Sequence, residues 1–392
     1  MVLAPPASRL ARLATAVIAV VLAASSAMVA DGVARASAQD RPTVTTSLSI
    51  PGELDAVAAT SPTNAWAVGY LENRNPDKPD TLIIVHWDGV RWTRMTVPHF
   101  PYGRLYAVAA VSKNDAWAVG WNESPVSGYL EPPSALVLHW NGKVWRPVSS
   151  LFDSDFTPVA LSATATEVWA AGNAGGIEFL HYVGGRWYFV PVAQSVNSGS
   201  PASLVMSGPK SGWLAGTAEL ANSSDYTAFT LHWNGTAWKR VTAKVHDAFS
   251  QLNALAGLPG GAVWAVGREA IDPNNYNTYG PLSLRWSGKA WLQVPVDIPG
   301  AVEFDGVAHI PGSTAWAVGT MANNLISGAL VARWTGTAWK LAPSPGADWA
   351  DALFAVSATS ASDAWAVGEI NTPAGSATFM TVILHWNGTT WS

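Results

Sequence analysis

The chain has 392 residues, of which 22 are Trp and none is Cys, and Gly and Pro number 34 and 26. Charged residues make up only 12% and the formal net charge is −5. Low charge combined with many aromatic residues excludes a disordered chain and a basic nucleic-acid-binding protein. The lack of Cys excludes disulfides and thiolate metal sites.

The first forty residues are typical of an export signal. Arg9 and Arg12 precede an uncharged apolar run of 18 residues, Leu13 to Ala30, and Ala36 and Ala38 supply small residues at the −3 and −1 positions of a cleavage site. The sequence therefore predicts a signal peptide at residues 1–38, cleaved after Ala38, and a secreted, extracellular protein. The alternative is an uncleaved membrane anchor, because 18 residues could just span a bilayer.

The part that follows the predicted cleavage has 19 basic and 26 acidic residues, a net charge of −7, because three Arg and one Asp are removed. This balance argues against nucleic acid or an anionic membrane as a partner.

An internal repeat governs the rest of the chain. Variants of Asp-Ala-Trp-Ala-Val-Gly recur with a period of about 50 residues, and a Gly follows the Trp three residues later each time. The seven positions are Trp66, Trp117, Trp169, Trp213, Trp264, Trp316 and Trp365, with framing glycines Gly69, Gly120, Gly172, Gly216, Gly267, Gly319 and Gly368.

A second phrase, such as His-Trp-Asn-Gly-Thr-Ala-Trp, lies between these. Its first aromatic residue is followed by Gly two residues later and by Trp five residues later in every repeat. The aromatic positions are Trp87, Trp140, Tyr182, Trp233, Trp286, Trp334 and Trp386, and the closing positions are Trp92, Trp145, Trp187, Trp238, Trp291, Trp339 and Trp391. The two phrases hold 20 of the 22 Trp residues, which we interpret as packing residues.

Each repeat predicts four short strands, a to d, and four-stranded repeats of this length are typical of propeller blades. Asp-Gly and Asn-Gly pairs such as Asp88-Gly89 predict a tight c–d hairpin with positive φ angles. We therefore predict an all-β fold, a seven-bladed β-propeller occupying residues 39–392 as one domain. The blades fall at about 54–98, 105–149, 157–192, 202–242, 252–295, 304–342 and 353–392, and the strand-like run at 43–50 is expected to complete blade 7 and close the ring.

The repeat resembles several propeller families. Its Gly and Trp framing is similar to kelch-type propellers such as the middle domain of galactose oxidase, its hairpin phrase to the Asp-box of sialidase-type propellers, and the combined phrases to tectonin lectin repeats and photosystem-assembly propellers. The copper chemistry of galactose oxidase is not implied, because its Tyr–Cys cross-link needs a Cys. Sialidase-type chemistry would need an Arg cluster, for which Arg74, Arg104 and Arg268 are the candidates, with a Tyr and a carboxylate.

One face of the predicted ring carries the variable segments. The b–c and d–a loops share this face, and the b–c segments differ in length and composition, which is typical of the functional face of a rigid scaffold; unconstrained drift of the loops is the alternative. The residue after each framing Gly lies at this end of strand b, and these residues are Tyr70, Trp121, Asn173, Thr217, Arg268, Thr320 and Glu369. Trp121 and Trp349 are the two Trp residues outside the repeat.

We accordingly expect a ligand-binding groove beside Tyr70, Trp121 and Asn173, with Arg268, Glu369 and Trp349 as further candidates. Flat rings with a polar edge suit a glycan or a protein anchor, so the predicted partner is a glycan or a cell-surface protein, bound by a monomer without enzymatic activity. The alternatives are a sialidase-like carbohydrate-active hydrolase on the same face and an assembly or scaffolding factor.

The histidines do not predict a metal site. His86, His139, His181, His232 and His385 share one repeat position with Arg285 and Arg333, and this position lies far from the axis, so we expect each cation or imidazole to pack beside a Trp. The sequence has no phosphate loop, nucleophile elbow or zinc helix. We expect no cofactor and no catalytic residues.

Overall fold

Seven antiparallel sheets follow one another along the chain. The computed structural model describes residues 48, 50–72, 79–100, 102–123, 125–126, 129–130, 134–148, 156–192, 199–219, 225–243, 245, 249–257, 262–272, 278–310, 314–323, 326–345, 352–371 and 379–392, all within one compact unit, Thr46–Ser392. In these ranges there is no helix that is long and apolar enough to cross a membrane. The predicted signal peptide lies outside the described residues.

The first three blades each contain four strands in chain order from the axis outward, here called a to d. Blade 1 comprises β1 (Glu53–Ser61), β2 (Asn64–Leu71), β3 (Thr81–Trp87) and β4 (Trp92–Arg94). Blade 2 comprises β5 (Arg104–Ser112), β6 (Asp115–Asn122), β9 (Ser134–Trp140) and β10 (Trp145–Pro147), with a small extra hairpin in its b–c loop formed by β7 (Pro125–Val126) and β8 (Tyr129–Leu130). Blade 3 comprises β11 (Thr157–Ala163), β12 (Glu167–Asn173), β13 (Ile177–Val183) and β14 (Arg186–Val190).

The remaining blades repeat the same order. Blade 4 comprises β15 (Ser200–Gly208), β16 (Ser211–Glu219), β17 (Tyr226–Trp233) and β18 (Trp238–Arg240), and blade 5 comprises β19 (Ser250–Gly257), β20 (Val263–Ala270), β21 (Tyr279–Trp286) and β22 (Trp291–Gln293). Blade 6 comprises β23 (Ala301–His309), β24 (Ala315–Asn323), β25 (Ile326–Trp334) and β26 (Trp339–Leu341), and blade 7 comprises β27 (Ala352–Ser360), β28 (Asp363–Asn371) and β29 (Phe379–Trp386). The chain is a seven-bladed β-propeller, as the repeat predicts.

The Trp residues of the repeat join each blade to the next. The buried strand-b Trp of every blade touches the second and third aromatic residues of the following blade, and the last junction returns from Trp365 to Trp87 and Trp92, with ring centroids 4.9 and 5.1 Å apart. Ser357 Oγ of blade 7 also accepts the Ala59 N–H of blade 1 at 3.0 Å. The ring is therefore closed by the same three-aromatic contact that builds each of the other junctions.

A short N-terminal segment hydrogen bonds to the outer side of blade 7. The N–H of Thr381 donates to Ile50 O at 2.9 Å, Gly52 N–H donates to Phe379 O at 2.8 Å, and Pro51 forms a bridge with Met380. At the other end of β29, Ser392 pairs with His385. Leu48 and residues 50–52 thus continue the strand-d position that Trp391 and Ser392 begin. The predicted strand at 43–50 lies mostly outside the described residues, so full pairing along it stays a prediction.

The framing glycines are explained by a close approach of strand a. Each strand a has a bulge opposite the framing Gly, and a Cβ on that Gly would overlap the backbone carbonyl oxygen of the strand-a residue beside it. The carbonyls belong to Glu53, Arg104, Thr157, Ser200, Gln251, Glu303 and Ala352. Only Gly permits the innermost strand to lie this close.

The c–d turns differ from the prediction in detail. In blade 1 the positive φ falls on Gly89 (+96°), whereas Asp88 is not among the described non-Gly residues with positive φ. Asp88 instead accepts the N–H groups of Val90 and Arg91 through Oδ1, at 2.8 and 2.9 Å. The expectation of a positive φ at the Asp or Asn is therefore wrong, because its side chain caps the turn and Gly occupies the first central position.

The shared His position is structural, as expected. His86 stacks on Trp66 with centroids 4.0 Å apart, and the same stacking recurs for His139, His181 and His385 on their strand-b Trp residues. The guanidinium carbons of Arg285 and Arg333 lie 5.6 Å from the centroids of Trp264 and Trp316.

Candidate functional site

The predicted site residues that the structure describes lie at the same end of the ring. Each follows a framing Gly in strand b and pairs with one of the first residues of strand a, as Tyr70 does with Glu53 and Trp121 with Arg104. The same register holds for Asn173, Arg268 and Glu369, which pair with Thr157, Gln251 and Ala352. Trp349 lies outside the described residues.

Arg104 organises a cluster at the junction of blades 1 and 2. Its Nε donates to Asp80 Oδ2 at 2.7 Å, its Nη2 to Glu72 Oε1 at 3.1 Å and its Nη1 to the Tyr70 hydroxyl at 3.2 Å. Its guanidinium carbon lies 4.4 Å from the centroid of the Tyr70 ring and 5.6 Å from that of Trp121. A single planar cation thus connects the two predicted aromatic residues with two carboxylates.

Trp121 is held by a second contact. Its indole Nε1 donates to the Tyr106 hydroxyl at 2.7 Å, and its side chain remains partly exposed. Tyr106 is the bulge residue of β5, placed between the paired residues Leu105 and Ala107. The bulge therefore places the Tyr106 hydroxyl at the edge of the Trp121 indole, which is not one of the packing Trp residues of the repeat.

Tyr70 is not an open stacking platform. It is only 4% exposed, because the Arg104 guanidinium covers its ring. The interpretation of Tyr70 as a ring offered to a ligand is therefore corrected: it supports Arg104, and Trp121 is the accessible aromatic residue of the pair.

The cluster also affects a nearby carboxyl, that of Glu123. Burial raises the pKa of the Glu123 carboxyl above its usual value, the Arg104 charge opposes the rise and Asp80 adds to it. Glu123 follows β6 on the same face. A carboxyl whose pKa is raised can donate a hydrogen bond at a higher pH than a solvated one can.

A second cluster surrounds Arg268 on the far side of the ring. Arg268 and Glu303 form a buried ion pair, with Nη1 3.4 Å from Oε2, and the Arg268 guanidinium carbon lies 4.4 Å from the Tyr279 ring centroid. The hydroxyls of Tyr226 and Tyr279 lie 3.3 Å apart. Burial and this hydrogen bond raise the pKa of Tyr279 to about 12. Arg268 is 5% exposed, so this cluster is a packed network.

The arrangement bears on the sialidase-like alternative, which needs two or three neighbouring Arg residues. Arg104 and Arg268 lie in blades 2 and 5, and each is neutralised by its own carboxylates. Arg74 lies outside the described residues. Arg104 and Arg268 therefore belong to two separate clusters.

Asn173 and Glu369 lie in blades 3 and 7. Asn173 ends β12 beside the short turn to Ile177, and Glu369 pairs with Thr381, whose hydroxyl donates to Leu48 O at 2.9 Å. The predicted groove beside Tyr70, Trp121 and Asn173 stays a prediction.

Sequence reasoning missed the ring of bulge residues. Every strand a carries one, and Asn253 Nδ2 donates to Phe304 O and to Asp305 Oδ1 of the next blade, at 3.0 and 3.3 Å. The bulge residues are Asp55, Tyr106, Val159, Ala202, Asn253, Asp305 and Phe354. The only signal in the sequence is that the residue type at this position of strand a changes from blade to blade, within a strand of otherwise mostly small residues. Among the described residues, no group of three His, Asp or Glu side chains is placed to hold a metal ion.

Comparisons with known proteins agree on the fold. YCF48 from Cyanidioschyzon merolae is 14% identical with a TM-score of 0.51, covering 84% of this chain and 95% of that one. A polysaccharide lyase of family PL25, an ulvan lyase, is 10% identical with a TM-score of 0.55, covering 87% and 95%. The β-propeller domain of the trilobed protease from Pyrococcus furiosus is 8% identical with a TM-score of 0.51, covering 88% and 97%.

At these identities the likeness concerns the propeller fold alone. No protein-family model matches the chain, and no curated protein sequence matches it.

Proposed function

We propose that this propeller is an exported, non-enzymatic recognition module that binds a glycan or a surface protein on the face of its b–c and d–a loops. The observation that carries the proposal is the Arg104 cluster, in which a partly exposed indole is held in place by a cation and a hydroxyl. An aromatic residue with fixed orientation beside charged groups is the usual anchor of a recognition surface.

The shape of the scaffold supports the same proposal. The opposite face presents seven c–d turns of nearly uniform length, whereas the b–c connections range from the two residues between β24 and β25 to the long segment that contains β7 and β8. Variation on one face of a rigid ring favours binding there. A polysaccharide is the ligand class to test first, because one protein of similar fold acts on a polysaccharide. The proposal includes the expectation that this chain is related to kelch, Asp-box or tectonin propellers.

The test is a glycan array and a surface-protein binding screen with the mature protein and two variants. Trp121→Ala removes the accessible anchor, and we expect it to weaken binding to the ligand found by at least tenfold, since truncating a central anchor costs about 2 kcal/mol or more. Val90→Ala is the matched control, because Val90 is 82% exposed on a c–d turn of the opposite face.

Folding of both variants is checked by thermal unfolding before binding is compared. Equal binding by Trp121→Ala and the wild type, for every ligand that either screen returns, would refute the proposed site. Loss of binding in Val90→Ala alone would move the site to the other face.

Export is a separate part of the proposal. Expression of the full chain in a secreting bacterial host, followed by intact-mass measurement of the medium fraction, should give a protein that begins at Gln39. A retained, membrane-associated full-length chain would support the anchor alternative.

A further inference from the structure

One framework pair changes its chemistry in blade 4. In four blades the stacked His hydrogen bonds through Nε2 to an acid or amide two residues before the strand-b Trp. These pairs are His86–Asn64 at 2.8 Å, His139–Asp115 at 2.9 Å, His181–Glu167 at 3.2 Å and His385–Asp363 at 2.8 Å. Blade 4 keeps His232 but has Ser211 in the partner position, whose side chain is too short to span the same distance.

The His232 ring is oriented differently from the hydrogen-bonded His rings of the other blades. It lies 4.5 Å from the Trp213 ring at an angle of 44°, whereas His181 lies 4.0 Å from Trp169 at 19°. The imidazole of blade 4 is therefore turned away from the stacked position that the hydrogen bond to Glu167 maintains in blade 3.

A groove opens beside this pair, at the junction of blades 4 and 5 on the face of the c–d turns. It encloses ≈ 650 Å³, within the range of about 300 to 1,000 Å³ of small-molecule sites. Its described lining includes Ser207, Ser211, Trp213, His232, Trp286 and Ser287. A smaller cavity of ≈ 30 Å³ lies between blades 3 and 4, against strand a of blade 4, with Glu167, Trp169 and Met206 in its described lining.

The groove combines aromatic rings with neutral hydrogen-bonding groups. Burial lowers the pKa of His232 below its usual value, so its imidazole is neutral at pH 7 and offers both a donor and an acceptor. The hydroxyls of Ser207 and Ser211 line the same groove, whereas Ser287 Oγ donates to Ala290 O at 2.7 Å within its own turn. No acidic side chain is among the described lining residues. Arg285 lies at the rim, with its guanidinium carbon over the Trp264 ring.

Trp286 supplies the exposed ring. It is partly exposed, whereas the equivalent Trp87 and Trp233 are 9% and 8% exposed and donate their indole N–H groups to the carbonyls of Pro62 and Pro209. A partly exposed indole with polar neighbours can contact a pyranose ring while hydroxyls meet the edges of the sugar.

We propose that this groove is a second binding site, separate from the Arg104 cluster, and that it binds a neutral saccharide. The sugar ring packs on Trp286, and its hydroxyls bond to His232 and the serines. A neutral ligand follows from the neutral donor set. An extended peptide would need a run of backbone partners, whereas the polar groups here are side-chain hydroxyls and an imidazole.

The test rebuilds the closed junction of blade 3 in blade 4. Ser211→Glu and Ser211→Gln each place a longer acceptor next to His232, so we expect both variants to fold and to fill the groove. The probes are galactose, mannose, N-acetylglucosamine and lactose, on an array and in calorimetric titration. We expect both variants to weaken binding of the saccharide that the wild type selects by at least tenfold.

The control variants change other parts of the ring. Glu167→Ser in blade 3 and Val90→Ala, at an 82% exposed position on a c–d turn of blade 1, should leave this affinity within twofold of the wild type. The proposal is overturned if none of the four probes binds at millimolar concentration, or if both Ser211 variants bind like the wild type. Binding restricted to acidic sugars or to peptides, and lost in the Ser211 variants, would overturn the choice of ligand.

Discussion

Gly319→Ala tests the physical reason for the invariant glycine. A Cβ at this position would overlap the carbonyl oxygen of Glu303 and lie 2.9 Å from Phe304 Cα, where ordinary contacts begin at 3.4 Å. Both atoms belong to the backbone of β23, so no side chain can rotate out of the way. Strand β23 must shift by 0.5 Å or more, and Phe304, which is fully buried 5.6 Å from the Trp339 ring, must move with it.

Overpacking of a flexible core costs about 1 to 3 kcal/mol, and a clash with rigid backbone costs more. We therefore expect the free energy of unfolding to fall by about 4 kcal/mol and, at roughly 2 °C for each kcal/mol, Tm to fall by about 8 °C. Urea titration and calorimetry measure both quantities.

Gly280→Ala is the matched control, since its φ is also unexceptional and a Cβ there would meet only Ile271 Cγ2 at 2.7 Å. Ile271 is 59% exposed and free to rotate, so this variant should remain within about 1 kcal/mol of the wild type. If Gly319→Ala unfolds within 2 °C of the control, the close approach of strand a does not explain the repeat.

Three further predictions follow from the junctions and the imidazoles. Trp365→Ala, at the junction that closes the ring, should lower the free energy of unfolding by about 3 to 5 kcal/mol in urea titration; a loss below 1 kcal/mol would contradict the role of this junction. Burial would raise the pKa of Asp363, but hydrogen bonds from His385 and Thr359 outweigh this effect and lower the pKa below 3.8. Because the carboxylate becomes protonated at low pH, Asp363→Asn should lower the free energy of unfolding more at pH 6 than at pH 3. Burial lowers the pKa of four imidazoles, those of His86, His181, His232 and His309. Just below pH 6.5 the native state therefore binds fewer protons than the unfolded state, and calorimetry should give a lower Tm at pH 5.5 than at pH 7.5. A Tm that rises on acidification would contradict this assignment.

The repeat predicted the fold because each of its strong signals has one local cause. Trp66 and its equivalents recur because every blade junction needs the same three-ring contact, and Gly69 and its equivalents recur because every strand a lies against strand b at that point. A period of about 50 residues with two such markers leaves few alternatives to a closed ring of sheets.

The candidate site was predicted less completely, because its contacts join the repeat to segments that do not repeat. Tyr70 is buried by Arg104, whose position is fixed by Glu72 and Asp80 from the b–c segment. No local pattern indicates that these carboxylates turn back to an arginine of the next blade. The strand-a bulges were also missed, since a bulge depends on how two strands pair and its residue type differs from blade to blade.

The two proposed sites show what can be learned by comparing equivalent positions in the blades of one repeat protein. A framework position has seven copies in one chain, so the structure itself supplies the comparison that explains a departure. Glu167 and Ser211 stand at the same position of blades 3 and 4, and of the two side chains Glu167 lies within hydrogen-bonding distance of the imidazole of its own blade, at 3.2 Å from His181. The change at this position coincides with the loss of one hydrogen bond to an imidazole that both blades retain. Because both blades retain the Trp and the His beside this position, exchanging Glu167 and Ser211 is the direct test of what the groove does.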